Sequence, residues 1–359
     1  MLIGDDGAPP LPWLAAPLAQ ALQHQRGHAL LVHGAAGSGV LPFALSLAQS
    51  WLCEREGPGE GGGEAGTRPA CGRCGSCRLI QSRVHPDLML LMPEQQRREH
   101  DWPLSGDKPE GDSSKKPSRQ IRVDEVRLLI DWVFKTSARG RGKVALLTPG
   151  EALNLQSANA LLKTLEEPPA GTRLIITTPD PQRLLPTVRS RCQVLRLAEP
   201  AVDAAEAWLA GQGVDEPAVL LAACAGRPLD ALALHAAGVR ADTWRRLPEA
   251  LARGQGGAVQ GWPLPQLLDL LLKLCHDAMA VAGGAAPRYF VPGSVPETAS
   301  PQRLRAWSLE LQRVARHASH PWNEGVLAEA LVAGAARALR PQAGRGGPAR
   351  RAGLDTLPA

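Results

Sequence analysis

The chain is poor in aromatic side chains, with one Tyr, three Phe and nine Trp among 359 residues. Base-stacking platforms need exposed aromatics interleaved with basic residues. No such surface is written here, and the scattered Trp residues, with Met279, read as core filler. Long apolar runs are missing too. No stretch of about 18 apolar residues occurs, and the opening MLIGDDGAPP has neither the basic start nor the apolar centre of a secretory signal. The expectation is a cytoplasmic chain without a membrane partner. Charge of one sign is also lacking, with 40 Lys and Arg against 35 Asp and Glu. A net charge of +5 permits contact with nucleic acid, but basic residues dispersed among acids do not specify it.

What is present is an alternation of short apolar runs and helical stripes. Val144–Leu147 suits a buried parallel strand, and Leu153 to Glu166 puts Leu153, Leu161, Leu162 and Leu165 on one helical stripe, ended by Pro168-Pro169. Leu174–Ile176 is a second buried strand, and a turn and helix over 181–188 lead to Arg189-Ser190-Arg191-Cys192. Strand, helix and strand imply a right-handed crossover in an α/β sheet. Upstream, 11–26 reads as an amphipathic helix, Ala29–Val32 as the first strand and 42–52 as a helix; 88–92 is a further strand and 121–135 a helix with Val126, Leu129, Ile130 and Val133 on one face.

Between the first strand and its helix stands a place for a phosphate-binding loop. Such a loop needs glycines for close backbone approach, Lys for the β and γ phosphates, and Ser or Thr for Mg²⁺. Gly34, Gly37 and Gly39 are there, but Val40 occupies the Lys position and Leu41 the hydroxyl position. A triphosphate would meet a neutral loop, so no ATP is expected as a cofactor and the glycines read as a packed strand-to-helix turn.

Seven cysteines with four bunched together fit a reduced compartment and a metal site better than a disulfide framework. Cys71, Cys74 and Cys77 repeat the two-residue spacing that turns paired thiolates onto one ion, and Cys53 at the end of the preceding helix completes a Cys₄ set. Structural Zn²⁺ is the reading, since four protein ligands leave no open position for water. An iron–sulfur cluster lacks its downstream Cys-Pro, and free thiols bunched by chance are the other alternative. His85 reads as the start of a strand and not as a ligand.

Leu161-Leu162-Lys163-Thr164-Leu165-Glu166-Glu167-Pro168-Pro169, then Thr177-Thr178 and Ser190-Arg191-Cys192, resemble the clamp-loader branch of the AAA+ superfamily, and within it the delta-prime family of bacterial DNA polymerase III. The resemblance runs from about 24 to about 234. It implies an AAA+ (RecA-like parallel sheet) domain over 1–199 with the zinc module at 53–77, a small helical lid at 200–250 and an all-α collar at 251–340. The tail, 341–359, rich in Gly, Arg, Pro and Ala, reads as disordered. Where the family carries its acidic metal-binding pair this chain has Thr148-Pro149, and Leu229 stands at the usual sensor Arg, with Arg227 nearby. The family also carries a zinc module where the four cysteines lie.

The same resemblance makes Arg191 an arginine finger, acting in trans on a neighbouring subunit's γ-phosphate; a surface salt bridge or helix cap is the alternative, and Arg189 is the weaker candidate. It implies a subunit without ATPase activity of its own, a component of the DNA polymerase III holoenzyme. Its partners would be gamma/tau-like and delta-like subunits, with the sliding clamp and primed DNA reached through the complex. An active AAA+ ATPase with an atypical loop and a zinc-containing nucleic-acid-binding protein are the competing classes. The polar stretch 93–119 reads as a mobile insertion, either linker or DNA-touching loop. The helices at 202–210, 216–223, 229–236, 241–253, 264–281, 301–317 and 323–339 supply the rest, with Leu267, Leu268, Leu271, Leu272 and Cys275 forming an apolar face that fits packing within the chain or between subunits.

Overall fold

The structure is a computed structural model that describes residues 2–25, 27–55, 67–103, 117–296, 300–317 and 323–340. Residues 104–116 of the polar insertion, 56–66 between Cys53 and Cys71, and the tail 341–359 expected to be disordered lie outside the described residues. Two compact units emerge, one formed by Met1–Gln212 with Gly226–Asp230, the other by Gly213–Ala225 with Ala231–Ala359.

The first unit is built on five strands, β1 (Ala29–His33), β2 (Leu88–Leu91), β3 (Lys143–Leu147), β4 (Thr172–Thr178) and β5 (Gln193–Arg196). All pair in parallel, in the order β2-β3-β4-β1-β5. Parallel neighbours require crossovers that cover both faces, which is why β1, β3 and β4 read as continuous apolar runs. Side chains alternate across the sheet. Leu30, Val32, Leu90, Val144, Leu146 and Ile175 enter a core shared with α1 (Ala15–His24), α2 (Val40–Leu52) and α3 (Gly75–Gln81). Leu31, Met89, Leu91, Ala145, Leu147, Leu174 and Ile176 face the opposite core. There, past the short α4 (Glu94–Glu99), Val126, Leu129 and Val133 of α5 (Val123–Val133) meet Leu161 and Leu165 of α6 (Leu155–Glu166).

Three local readings need correction. The helix expected from Leu153 starts at Leu155, because the Asn154 side chain accepts the Ser157 N–H and caps it there. The insertion is partly ordered: α4 forms at its start, the Glu94 carboxylate accepts the Ser118 N–H at 3.3 Å, and Trp102 is buried. Val194 and Leu195 belong to β5, an edge strand with mostly exposed side chains that the sequence reading did not set apart. The short α7 (Pro186–Arg189) precedes β5 and α8 (Val202–Gly211) follows it.

The second unit is helical: α9 (Pro217–Ala223), most of α10 (Pro228–Ala236), α11 (Ala241–Ala252), α12 (Leu264–Ala282), α13 (Pro301–Arg316) and α14 (Glu324–Leu339). Leu267, Leu268, Leu271 and Cys275 of α12 are buried and Leu272 is half-buried, so the apolar face is largely consumed inside this unit. Buried Trp244 stacks on Phe290 with ring centroids 4.9 Å apart. The fully buried Asp277 carboxylate accepts the N–H groups of Arg288, Tyr289 and Phe290 and thereby fixes that loop. Met279 is 39% exposed and fills no core. No single helix among the described residues is long and apolar enough to cross a membrane.

Candidate functional site

Two places in the first unit carry chemistry, and α2 joins them. Its C-cap is Cys53. The chain returns at Ala70, whose N–H donates to Ser50 Oγ at 3.0 Å, and turns through Cys71-Gly72-Arg73-Cys74. Gly72 has φ +73°, and a Cβ there would stand 1.8 Å from the Gly4 carbonyl oxygen, so only glycine fits. Cys74 then caps α3, its Sγ accepting from the Cys77 N–H.

The four sulfurs lie within 4.8 Å of one another, with Cys53–Cys71 at 3.6 Å, Cys53–Cys74 at 3.8 Å and Cys71–Cys77 at 4.0 Å. A tetrahedron of Zn–S bonds of about 2.3 Å has edges of about 3.8 Å. The four-thiol donor set and its spacing therefore fit zinc. Backbone N–H groups support the sulfurs: Cys71 donates to Cys53, Cys74 to Cys71, and both Glu54 and Cys77 to Cys74, at 3.3–3.5 Å. Such donors spread thiolate charge. Hydrogen bonding from Cys77, then from backbone groups, pulls the Cys53 thiol down to about 4, while the same bond and burial push Cys77 up. A bound dication replaces the protons the thiols would otherwise share.

A polar shell surrounds the cysteines. The Arg139 guanidinium bonds Glu54 at 2.6 Å and holds its carboxyl down at about 2. Arg139 also donates to Ser76 Oγ at 3.1 Å, and Ser76 Oγ lies 3.0 Å from His85 Nε2. His85 is buried, which lowers its basicity, and its Nδ1 accepts the Asp87 N–H. It orients the shell and is not a ligand. Asp87 in turn accepts from Ser137, Ala138 and Arg139. Nothing in the sequence pattern marked Glu54, Arg139 or Asp87, because their partners are about 50 to 85 residues away in the chain.

At the other end of α2, Gly34, Gly37 and Gly39 form the strand-to-helix turn, with Gly37 at φ +74° and Gly39 at φ +103°. Several polar groups of the turn are engaged within the protein. Ser38 donates both its N–H and its hydroxyl to Ala35 O, Trp13 Nε1 donates to Ser38 O, and the Leu229 N–H donates to Gly37 O. Val40, Leu41, Leu229, Trp13 and Trp208 pack against one core. Against Gly37 lies the Asp230 carboxylate, 2.7 Å from where a Cβ would stand, paired with Arg227 at 2.5 Å. Thr177 donates to Thr148 at 2.6 Å across the ends of β4 and β3, so the Thr148 hydroxyl oxygen is already bonded.

Arg191 follows α7. It pairs with Glu166, the last residue of α6, through Nε at 2.6 Å and through Nη2, and Nη1 donates to Thr187 O at 2.9 Å. Cys192 beside it is half-buried, its thiol pushed up to about 11 by burial.

A family model described as DNA polymerase III, delta subunit, matches residues 14–201. The DNA polymerase III subunit delta' of Escherichia coli is 33% identical over 320 residues, which are 82% of this chain and 85% of that one. This chain belongs to the DNA polymerase III delta' family. Its Pseudomonas aeruginosa member is 40% identical over 234 residues, 64% of this chain and 62% of that one. The DNA polymerase III subunit tau of Escherichia coli is 33% identical over 165 residues, 46% of this chain and 20% of tau. In this chain the cysteine cluster is carried at the end of the helix that follows the first strand of the parallel sheet.

Proposed function

We propose that this chain works inside the DNA polymerase III clamp loader, in the cytoplasm, as a subunit that neither grips nor hydrolyses ATP and that lends Arg191 to a neighbouring ATPase subunit. The observation that carries the first half is at the loop: Val40 and Leu41 are packed where Lys and Ser or Thr would act, and the Asp230 carboxylate stands against Gly37. Asp230 occupies the space over Gly37 with Arg227 engaged as its partner, and neither Val40 nor Leu41 offers a cation or a hydroxyl to a triphosphate. The second half is supported by Arg191 at the end of a short helix, on a family scaffold whose relatives include tau. A guanidinium suits the role because it stays charged and presents a rigid fork.

The rest of the proposal follows the same family logic. The helical residues after about 200 serve as lid and collar that hold a ring, with gamma/tau-like and delta-like neighbours, and the ring brings the sliding clamp to primed DNA. Cys53, Cys71, Cys74 and Cys77 hold a structural zinc that supplies folding energy and no chemistry. Assembly with its partners, followed by ATPase assay of rings containing wild-type chain or Arg191→Ala, tests the reading. Turnover falls with ring mass unchanged if Arg191 acts in trans. Unchanged turnover at saturating ATP rejects it.

A further inference from the structure

Five N–H bonds leave an arginine side chain, and the neighbours of Arg191 divide them in a particular way. Nε and Nη2 converge on one oxygen of Glu166, which is the side-on fork of the guanidinium. Nη1 donates to Thr187 O at 2.9 Å. Three of the five donors are then spent. The two left over are one on Nη1 and one on Nη2, the pair of nitrogens that forms the end-on fork.

We infer that Glu166 and the Thr187 carbonyl are positioning groups that hold Arg191 so that its end-on fork is presented to a tetrahedral oxyanion such as a nucleotide γ-phosphate. This rests on the reading of Arg191 as a finger and adds what aims it. Both supports stand on rigid ground. Glu166 closes α6, whose Leu161 and Leu165 are fully buried, and Thr187 lies beside buried Val188 in α7. A carboxylate at a helix C-terminus also opposes the helix dipole, which makes Glu166 a poor choice for helix stability and a good one for holding a cation. The side chains of Arg191 and Glu166 are 32% and 48% exposed, so the ion pair by itself stabilises the fold little. Its value is in orientation, where an error of about 1 Å can cost on the order of 100-fold in rate.

The complete loader is assembled with Glu166→Ala, Glu166→Gln, Arg191→Ala or the double variant Glu166→Ala/Arg191→Ala, and turnover is followed against ATP concentration. Expected is a fall in kcat for Glu166→Ala, on the order of tenfold at the affected site, with KM for ATP unchanged. Glu166→Gln, which keeps an acceptor oxygen for the side-on fork, recovers most of it. The double variant is no slower than Arg191→Ala alone, because Glu166 acts only through Arg191. Full activity of Glu166→Ala beside a slow Arg191→Ala overturns the inference, as does a double variant slower than Arg191→Ala. Should Arg191→Ala itself turn over normally, the finger reading fails and this inference with it. Unaltered ring mass and melting temperature keep the comparison free of folding effects.

Discussion

The two ends of α2 have had opposite fates. At its N-terminus a glycine turn carries Val40 and Leu41 in place of a cation and a hydroxyl; at its C-terminus four cysteine sulfurs lie within 4.8 Å of one another, a set that could hold a metal ion. The helix between them is buried along nearly its whole length, including Ser46, Gln49 and Ser50. Gln49 makes a reciprocal pair with the backbone of Ile3, its Oε1 accepting from Ile3 N and its Nε2 donating to Ile3 O, and so ties the N-terminal segment to the helix. The difference teaches that apolar packing can hold a turn in shape without any ligand. Leu11 and Leu14 pack on Gly39, so the turn is held by the core whether or not a ligand ever binds.

That contrast can be broken most forcefully at the cysteines. Cys77→Ser leaves three sulfurs and should abolish stoichiometric zinc. Structural zinc sites in small peptides are worth about 10 kcal/mol or more, so a loss of several kcal/mol in unfolding free energy is expected here. Elemental analysis together with a denaturant melt reads both. If metal content and melt are unchanged, the centre is not a zinc site.

The next largest effect belongs to Gly39. Any side chain there meets φ +103° and the Leu11 methyl at 2.5 Å, so Gly39→Ala should destabilise the chain by about 1–3 kcal/mol while zinc stays bound. A neutral result would mean the turn is softer than its packing indicates. Restoring the missing chemistry sharpens the comparison from the other side. Val40→Lys with Leu41→Thr removes two packed apolar groups, at about 1–3 kcal/mol, and should still not confer ATP binding, because Asp230 remains against Gly37. Binding by that double variant alone would show that Asp230 does not matter.

The smallest effect is a pH dependence at His33, where β1 runs into the loop. Burial, and then Arg196, lowers its basicity, so the folded chain binds this proton less readily than the unfolded one. Its contribution is present above about pH 6.5, the ordinary histidine value, and is lost as pH falls below it. His33→Asn should flatten the slope of stability against pH below 6.5, measured by melts at several pH values; an unchanged slope assigns it elsewhere.

Much of this was legible in the residues. The continuous apolar runs of β1, β3 and β4 announced a parallel sheet, and the two-residue cysteine spacing announced a four-cysteine cluster that could hold a metal ion, because both signals are local. β5 was not legible, since an edge strand with one neighbour needs no apolar continuity. Nor was α4, whose Glu94 is paired with Arg98 and Arg122 in place of an apolar face. Glu166 and Asp230 lay inside stretches already singled out, yet their roles come from partners brought by the fold, Arg191 to one and Gly37 to the other. Spacing along the chain cannot show which carboxylate faces which loop.

The central claim is that the loop before α2 has lost its hold on nucleotide. Equilibrium titration of the isolated chain with a fluorescent ATP analogue and Mg²⁺ tests it most directly. The account predicts no saturable signal up to roughly 1 mM analogue; saturation at micromolar concentration, abolished by unlabelled ATP, would contradict it.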